Sequence, residues 1–215
     1  MNQRFFEDDI KLSDIKFSSI EEEKDFCRQL GERFSLFESS PEKAPSWLLK
    51  KELEDHVVFY PGTFNPWHLG HRACLELCPV KSIVVVPDFN PWKTDQARVG
   101  PWQKLKDLCE TLEQTEFSIY PGFLSLEKGN PTVDWFPKLT CKKKSLLIGD
   151  DSFLNLHKWK DVDELVKHIT TLFVVPRGER EVELEAQALR FPDLHIVFLG
   201  NHEFEEVSSS ELRGK

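Results

Sequence analysis

Short apolar runs alternate with stretches of helical periodicity from residue 57 onward. The runs are rich in β-branched and aromatic residues and are bounded by glycine, proline or charged residues, which is typical of buried β-strands. Between them, apolar residues recur every three or four positions, as at Leu69, Ala73 and Leu77, and this period predicts helices with one apolar face. The six predicted strands cover residues 57–60, 82–87, 117–120, 146–148, 172–175 and 195–199.

The alternation of strands and helices predicts the class of fold. A buried strand followed by a helix and a second buried strand is the pattern of a parallel sheet. Six such strands predict an α/β fold, a Rossmann-like doubly wound parallel sheet with helices on both faces. Ligands of such sheets bind at the carboxyl ends of the strands. We therefore expect the loops after the strands to line one edge, namely residues 61–71, 87–93, 149–151, 176–178 and the segment after residue 200.

The first 50 residues differ from the rest, because they carry many charges and no strand pattern. Ser19 and Glu22 have the spacing of a capping box at a helix start, and residues 45–47 begin a second short helical stretch. We predict a helical N-terminal extension, residues 1–50, that packs on a core domain, residues 51–215. Binding of another subunit or of a partner protein is the alternative use of its apolar stripe. The stripe comprises Ile20, Cys27, Leu30, Phe34 and Phe37.

Composition and charge narrow the possible partners and the compartment. The formal net charge of −9 argues against nonspecific binding to nucleic acid or to an anionic membrane. The five cysteines are scattered, so free thiols in a reducing compartment are expected. The N-terminus is acidic where a signal peptide would be basic and then apolar, and no apolar run reaches membrane-spanning length. We therefore expect a cytoplasmic protein.

Candidate chemistry is concentrated in residues 61–71, PGTFNPWHLGH, between a predicted strand and a predicted helix. A helix start presents backbone N–H groups without intrahelical partners at the positive end of the helix dipole, so it suits an anion. His68 and His71 would add two side-chain donors beside a bound phosphate. A glycine and proline turn followed by two purely structural histidines is the alternative.

A second candidate stretch is residues 207–213, VSSSELR. Its three serines before Glu211 suit a helix N-cap, so another anion-binding helix start is expected there. The planar guanidinium of Arg213 matches the oxygen atoms of a phosphate. A capped helix without a ligand is the alternative interpretation.

Residues 61–71 resemble the GxFxPxHxGH signature of the nucleotidyltransferases, which transfer a nucleotide from a nucleoside triphosphate, although Pro61 stands where these enzymes usually have glycine. Residues 207–213 resemble their ISSTxxR motif, with Ser210 in the place of threonine. Residues 147–159, LIGDDSFLNLHKW, are similar to the GxDxxxxLxxW stretch of nicotinate mononucleotide adenylyltransferases. Residues 129–134, GNPTVD, resemble that family's GPSYTID more loosely. Pro137 follows, and proline there should shorten the helix.

The resemblance implies adenylyl transfer from ATP to nicotinate mononucleotide, which gives nicotinate adenine dinucleotide and pyrophosphate in NAD biosynthesis. Nicotinamide mononucleotide or phosphopantetheine as the acceptor, and a non-catalytic nucleotide-binding module, remain alternatives. Mg²⁺ is the implied cofactor, carried with ATP, and no metal site made of protein ligands is expected. The implied partners are these small-molecule substrates, and the oligomeric state stays open.

The implied site contains three sets of residues. The catalytic pair is His68 and His71. The expected ATP contacts are Gly62, Thr63, Phe64, His68, His71, Gly149, Asp151, Ser208, Ser209 and Arg213. The expected mononucleotide contacts are Asn65, Lys93, Thr132 and Trp159. A helix-capping Asp151, a packing Trp159 and a solvated Lys93 are the alternatives for those residues.

The resemblance covers residues 57–213 and does not account for residues 1–50. Enzymes of this type usually continue beyond the arginine motif with helical chain that helps to cover the sheet. We therefore expect the extension to fold back over the surface that such a segment would protect.

Overall fold

The computed structural model describes residues 10–37, 44–50, 53–88, 99–126 and 128–204. These residues contain a six-stranded sheet in the order β3-β2-β1-β4-β5-β6, and all of its neighbouring strands are parallel. The predicted Rossmann-like doubly wound fold is therefore confirmed. The strands are β1 (His56–Gly62), β2 (Ile83–Pro87), β3 (Ser118–Ile119), β4 (Lys143–Gly149), β5 (Leu172–Val175) and β6 (Ile196–Phe198).

The order of the strands reverses at β1, which pairs with β2 on one side and with β4 on the other. Val58 marks this centre, because it lies opposite Ile83 of β2 and Ser145 of β4. The chain leaves β1 and β4 in opposite directions, so a crevice opens between their carboxyl ends. Both loops with the strongest sequence signals, after β1 and after β4, begin at this crevice.

Strand β1 extends two residues further than the sequence predicts, through Pro61 and Gly62. Its pairing with β4 ends at Phe59, whereas its pairing with β2 continues to Gly62. Beyond Phe59 the strand is therefore hydrogen-bonded on one side only, as an edge strand is, and proline is tolerated in such positions.

The α-helices within the described residues mostly follow the predicted pattern. Between β4 and β5, the apolar periodicity of residues 162–169 produces a four-residue α-helix followed by a 3₁₀ turn, Val166–His168. The helix before Pro137 is short, as expected, because Pro137 lies in a 3₁₀ turn directly after it. The helices are α1 (Ile20–Arg33), α2 (Leu69–Leu77), α3 (Pro101–Thr111), α4 (Thr132–Trp135), α5 (Asp150–Leu154), α6 (Val162–Leu165) and α7 (Glu181–Ala188).

The helix expected to begin at residues 45–47 does not form. Pro45 accepts hydrogen bonds from the backbone N–H groups of Leu48 and Leu49, which makes a single turn. The Leu48 carbonyl then accepts a hydrogen bond from Ile119 of β3 (2.8 Å). The chain therefore pairs with strand β3 at the edge of the sheet, and this hydrogen bond takes the place of further helical ones.

Helix α1 of the extension packs against α3 through aromatic rings. Phe26 is fully buried, and its ring centroid lies 5.2 Å from that of Trp102 and 5.2 Å from that of Phe17. Further along α1 the backbone comes very close to the loop after β3, since a Cβ built on Gly31 would lie 2.4 Å from the Cα of Gly122. The described part of the extension therefore belongs to the same hydrophobic core as the sheet.

The predicted apolar stripe is correct in part. Cys27, Leu30 and Phe34 are buried, but the expectation for Ile20 is wrong, because its side chain is 49% exposed. Phe17 lies before the helix and supplies the apolar contact to Phe26 that Ile20 does not make. The helix start is capped as expected, since Ser19 Oγ accepts from the Glu22 N–H (3.3 Å). The reciprocal bond differs, because Glu22 accepts from Ser18 instead of Ser19.

Two simpler expectations concern cysteines and membrane spans. All five cysteines are free thiols, as predicted. Burial raises the pKa of Cys27 and Cys109 above that of an exposed thiol. No helix among the described residues is both long and apolar enough to cross a bilayer.

Candidate functional site

The loop between β1 and α2 is shaped by an aromatic cluster. Phe64 adopts a left-handed backbone conformation (φ 45°), which is uncommon for a residue with a side chain and is concentrated at functional sites. Its ring covers Gly62, where an added Cβ would lie 2.7 Å from the ring atoms. The Phe64 ring also contacts Tyr60 and Trp67, with centroid distances of 5.2 and 5.0 Å. The turn therefore requires glycine at residue 62, and the rings hold its shape.

The two signature histidines stack on each other at the start of α2. Their ring centroids are 3.7 Å apart, and the planes are inclined by 26°. Nδ1 of His71 accepts a hydrogen bond from the His68 backbone N–H (3.3 Å). A neutral imidazole that accepts at Nδ1 carries its proton on Nε2. His71 is therefore held in the tautomer that presents an Nε2–H donor.

His68 is the N-cap residue of α2, and its ring is half-buried. Burial lowers the pKa of His68, and the nearby Arg177 guanidinium and His202 imidazole lower it further. The ring is accordingly neutral at pH 7. Its Nδ1 is buried and has no hydrogen-bond partner among the described residues. The first signature histidine is thus a desolvated imidazole with one nitrogen available.

The loop after β4 builds a second polar cluster around Asp150, which is fully buried. Oδ1 of Asp150 accepts from the backbone N–H of Asp151 (2.8 Å) and from Nε of Arg177 (3.0 Å). Its Oδ2 accepts from the backbone N–H of Arg177 (3.1 Å). A buried carboxylate needs this degree of hydrogen bonding, because an unpaired buried charge is very unfavourable. Asp150 therefore ties the loop after β4 to the loop after β5.

The sequence did not single out Arg177, although its location could have been anticipated. It directly follows a predicted buried strand, and Asp150 follows the neighbouring strand of the sheet. In the folded chain the guanidinium lies near enough to His68 to influence its pKa. Arg177 thus brings a guanidinium to the crevice, where Asp150 and Asp151 are its ion-pair partners.

Asp151 is more exposed than Asp150 and has partners of its own. It forms ion pairs with Arg177 and with Arg180, the latter at 2.8 Å. Next to it, Gly149 faces open space, since an added Cβ would meet no other atom within 4 Å. The expected contact of Asp151 with nucleotide hydroxyl groups stays a prediction, and such a contact has to share the carboxylate with these arginines.

Two of the four residues expected to contact the mononucleotide, Thr132 and Trp159, lie in neighbouring segments. Thr132 is the first residue of α4, and Trp159 follows the 3₁₀ turn Leu156–Lys158. Asp134 of α4 forms an ion pair with Lys160, directly after Trp159 (2.7 Å). This pair joins the two segments, which are far apart in sequence.

Asn130, two residues before Thr132, is not among the predicted contacts. The side-chain Nδ2 of Asn130 is buried and has no hydrogen-bond partner in the part of the chain that is described. Thr63 and Asn65 are half-buried within the loop after β1. Lys93 and the tail residues Ser208, Ser209, Ser210 and Arg213 lie outside the described residues, so their assignments stay predictions.

The side chains at the crevice determine how a metal ion could be held there. No group of three or more His, Cys, Asp or Glu side chains within the described ranges could hold one. The carboxylates of Asp150 and Asp151 are paired with arginines. The residues present fit a cation that arrives with phosphate oxygens and water, as Mg²⁺ does in nucleotide sites.

Comparisons with known proteins agree with this geometry. The model of the cytidylyltransferase-like family matches residues 59–215, and the chain belongs to that family. The probable nicotinate-nucleotide adenylyltransferase of Chlorobium phaeobacteroides is 32% identical over 177 residues, which are 73% of this chain and 85% of the relative. That of Leptospira interrogans is 31% identical over 175 residues, 72% of this chain and 81% of the relative. That of Hydrogenobaculum sp. is 29% identical over 167 residues, 73% of this chain and 83% of the relative.

Proposed function

We propose that this protein transfers the adenylyl group of ATP to nicotinate mononucleotide, forming nicotinate adenine dinucleotide and pyrophosphate. The observation that carries the proposal is the stacked pair of His68 and His71 at the start of α2, in the crevice where the strand order reverses. The relatives described above, all named as probable nicotinate-nucleotide adenylyltransferases, support nicotinate mononucleotide as the acceptor.

The reaction requires charge stabilisation more than proton transfer. The 5′-phosphate of the mononucleotide is ionised at pH 7 and attacks the α-phosphorus of ATP, and the bond to the β-phosphate oxygen breaks to release pyrophosphate. No general base and no covalent intermediate are needed. Two anionic phosphates repel each other, so the protein has to align them and stabilise the charge on the transferring group.

The histidine pair suits that task. The Nε2–H of His71 is a fixed donor because Nδ1 is occupied by the His68 backbone. His68 is neutral and offers hydrogen bonding, and the nearby Arg177 guanidinium is held in place by Asp150 and Asp151. Donors that are already oriented in a water-poor site stabilise a developing charge without further reorganisation. We assign the α-phosphate oxygens of ATP to His68 and His71.

The remaining assignments follow the motifs. Ser208, Ser209 and Arg213 hold the β- and γ-phosphates, and Gly62, Thr63, Phe64, Gly149 and Asp151 contact the rest of ATP. Asn65, Lys93, Thr132 and Trp159 contact the mononucleotide. Mg²⁺ is held mainly by phosphate oxygens and water, and when bound it neutralises charge on the triphosphate.

Pyrophosphate release tests the function directly. The purified chain is incubated with ATP and Mg²⁺ and, in parallel, with nicotinate mononucleotide, nicotinamide mononucleotide, phosphopantetheine or no acceptor. We expect release that depends on nicotinate mononucleotide and is lost in a His68→Asn, His71→Asn double variant. Preference for another acceptor would replace the proposed substrate. ATP binding in calorimetry without turnover on any acceptor would favour the non-catalytic module.

A further inference from the structure

A network of charged side chains joins the loop after β4 to the loop after β5. Asp150 is fully buried and is not among the predicted contacts, because it occupies an open position of the GxDxxxxLxxW pattern. Asp151 is the residue expected to contact nucleotide hydroxyl groups, and its side chain is 60% exposed. Arg177 forms ion pairs with both carboxylates. One arginine therefore links a buried aspartate to the aspartate that is predicted to meet the ligand.

Asp150 holds Arg177 at two points. Its Oδ2 accepts from the Arg177 backbone N–H (3.1 Å), and its Oδ1 accepts from the Arg177 Nε–H (3.0 Å). A guanidinium is planar and rigid, so a fixed Nε restricts where its terminal nitrogen atoms lie. One of these atoms, Nη2 of Arg177, donates to Oδ2 of Asp151. The position of that carboxylate oxygen is thus set from the buried side of the network.

The backbone of Asp151 is held by the same buried carboxylate. Oδ1 of Asp150 also accepts from the Asp151 N–H (2.8 Å), so Asp150 fixes both the main chain of Asp151 and the arginine that holds its side chain. Directly before the two aspartates, an added Cβ on Gly149 would meet no other atom within 4 Å. The network therefore lies beside open space into which a ligand fits.

Arg180 provides an internal comparison with Arg177. It pairs with Oδ1 of Asp151 (2.8 Å), but its side chain is 44% exposed and lies 3.5 Å from the Asp150 carboxylate. Exposed ion pairs contribute little, so a ligand hydroxyl group can replace Arg180 at Asp151. The Arg177 side chain is 29% exposed and has a fully buried partner. Of the two arginines at Asp151, Arg177 is the one that the fold keeps in place.

We propose that Arg177, held by the buried Asp150, is a positioning residue that orients the Asp151 carboxylate to accept hydrogen bonds from the ribose hydroxyl groups of ATP. Each carboxylate oxygen has two lone pairs, so Oδ2 accepts from Arg177 and remains able to accept from a hydroxyl group. Oδ1 becomes available where the ribose replaces Arg180. The inference deepens the proposed adenylyl transfer and rests on it for the identity of the nucleotide.

The affinities for ATP, 2′-deoxy-ATP and 3′-deoxy-ATP separate this role from simple packing. Calorimetry with Mg²⁺ and without an acceptor measures all three. A hydrogen bond to a charged acceptor should favour ATP over at least one deoxy analogue by roughly 10- to 100-fold in the wild-type chain. Arg177→Lys keeps a positive charge opposite Asp150 but lacks the second arm of the guanidinium, so it should lose most of this preference. Arg180→Lys is the matched control and should keep it.

A double-mutant cycle shows whether Arg177 acts through Asp151. Asp151→Asn should remove the preference for ATP, and adding Arg177→Lys should weaken ATP binding no further. Additive losses would show that Arg177 contacts ATP itself and would overturn the inference. Thermal unfolding checks that each variant is folded. If Arg177→Lys does not fold, Asp150→Asn, which weakens the hold on Arg177, has to show the same loss of preference.

The other contrary outcomes are distinct. A preference that is unchanged in folded Arg177→Lys would show that the network only joins the two loops. Equal weakening of ATP and both deoxy analogues would show a role in overall charge. Either result overturns the inference. Turnover of nicotinate mononucleotide without any ribose preference in the wild-type chain overturns the inference alone, whereas ribose preference without turnover on any acceptor overturns the proposed function alone.

Discussion

Two regions of the molecule differ in the polarity of the groups that they bury. The α1–α3 junction, formed by Phe17, Phe26, Gly31, Trp102 and Gly122, is apolar and interlocked, with aromatic rings in contact and two glycines at close approach. Burial of that kind stabilises the fold. It offers nothing to a charged ligand.

The crevice edge, formed by His68, His71, Asp150 and Arg177, is different. It buries a carboxylate, lowers the pKa of an imidazole and leaves a ring nitrogen without a partner among the described residues. Each feature is unfavourable for folding, which is typical of residues that are arranged for a ligand. The comparison shows that α1, which lies outside the range that the family model matches, contributes to the hydrophobic core away from the signature histidines.

The two regions are nevertheless connected. Glu23 of α1 accepts a hydrogen bond from the Trp102 backbone N–H (3.2 Å) at the start of α3. Helix α3 connects the parallel strands β2 and β3, so it begins at the edge of the sheet where β2 ends. The extension therefore caps the start of a helix at the edge that also contains the crevice. Its carboxylate also crowds Gly100, where an added Cβ would lie 1.9 Å from it.

The largest expected effect separates the regions by stability. Phe26→Ala removes a fully buried ring and should lower the free energy of unfolding by about 3–5 kcal/mol. Turnover measured well below the melting temperature should stay near that of the wild-type chain. Urea unfolding gives the first quantity and pyrophosphate release gives the second.

Ile20→Ala is the matched control for Phe26→Ala, because Ile20 is on the same helix and 49% exposed. Its effect should lie within about 0.5 kcal/mol. A small loss in Phe26→Ala would mean that the extension adds little to the core and would favour docking to a partner protein.

The second-largest expected effect is on turnover, with little change in stability. His71→Ala removes a fixed donor and should lower kcat about 10²–10³-fold, while the free energy of unfolding changes little. His56→Ala is the control, since His56 is at the opposite end of β1 and its Nε2 pairs with Ser145. Near-normal turnover in a folded His71→Ala variant would remove that residue from the mechanism.

The sequence predicts the sheet well because buried strands of a parallel sheet are continuous apolar runs, visible without any knowledge of partners. It predicts α1 less well. Ile20 fits the helical period, but which residues meet α3 depends on where the preceding chain turns, and Phe17 takes that contact. The turn at residues 46–48 fails for a similar reason, because its carbonyl group pairs with β3.

The crevice edge is also predicted only in part from the sequence. His68 and His71 are adjacent in sequence, so their spacing is readable. Asp150 and Arg177 are 27 residues apart, and only the pairing of β4 with β5 brings them together.

A smaller effect concerns the acceptor. If Trp159 stacks on the pyridine ring, Trp159→Ala should raise KM for the mononucleotide about tenfold, since such contacts contribute about 0.5–1.5 kcal/mol beyond burial. KM for ATP should change much less. Steady-state kinetics with each substrate varied in turn measures both constants. Equal increases would instead indicate that Trp159 supports the packing of the site as a whole.

The smallest expected effect concerns how the contribution of each region to stability changes with pH. Burial, Arg177 and His202 lower the pKa of folded His68 below its ordinary value of 6.5. Above pH 6.5 the ring is neutral in both the folded and the unfolded chain, so it adds no pH dependence. As the pH falls below that value, the unfolded chain binds the proton first, and the folded state loses stability until the folded pKa is passed. His68→Gln removes this pH-dependent loss. As the pH is lowered from 8 to about 5, the free energy of unfolding of His68→Gln should therefore rise relative to that of the wild-type chain.

The decrease in the free energy of unfolding caused by Phe26→Ala should stay constant over the same pH range, because it reflects apolar burial. Urea unfolding at each pH measures both. If the difference in free energy of unfolding between His68→Gln and the wild-type chain does not vary with pH, the pKa of His68 is not lowered by folding. The crevice edge would then not be desolvated at His68.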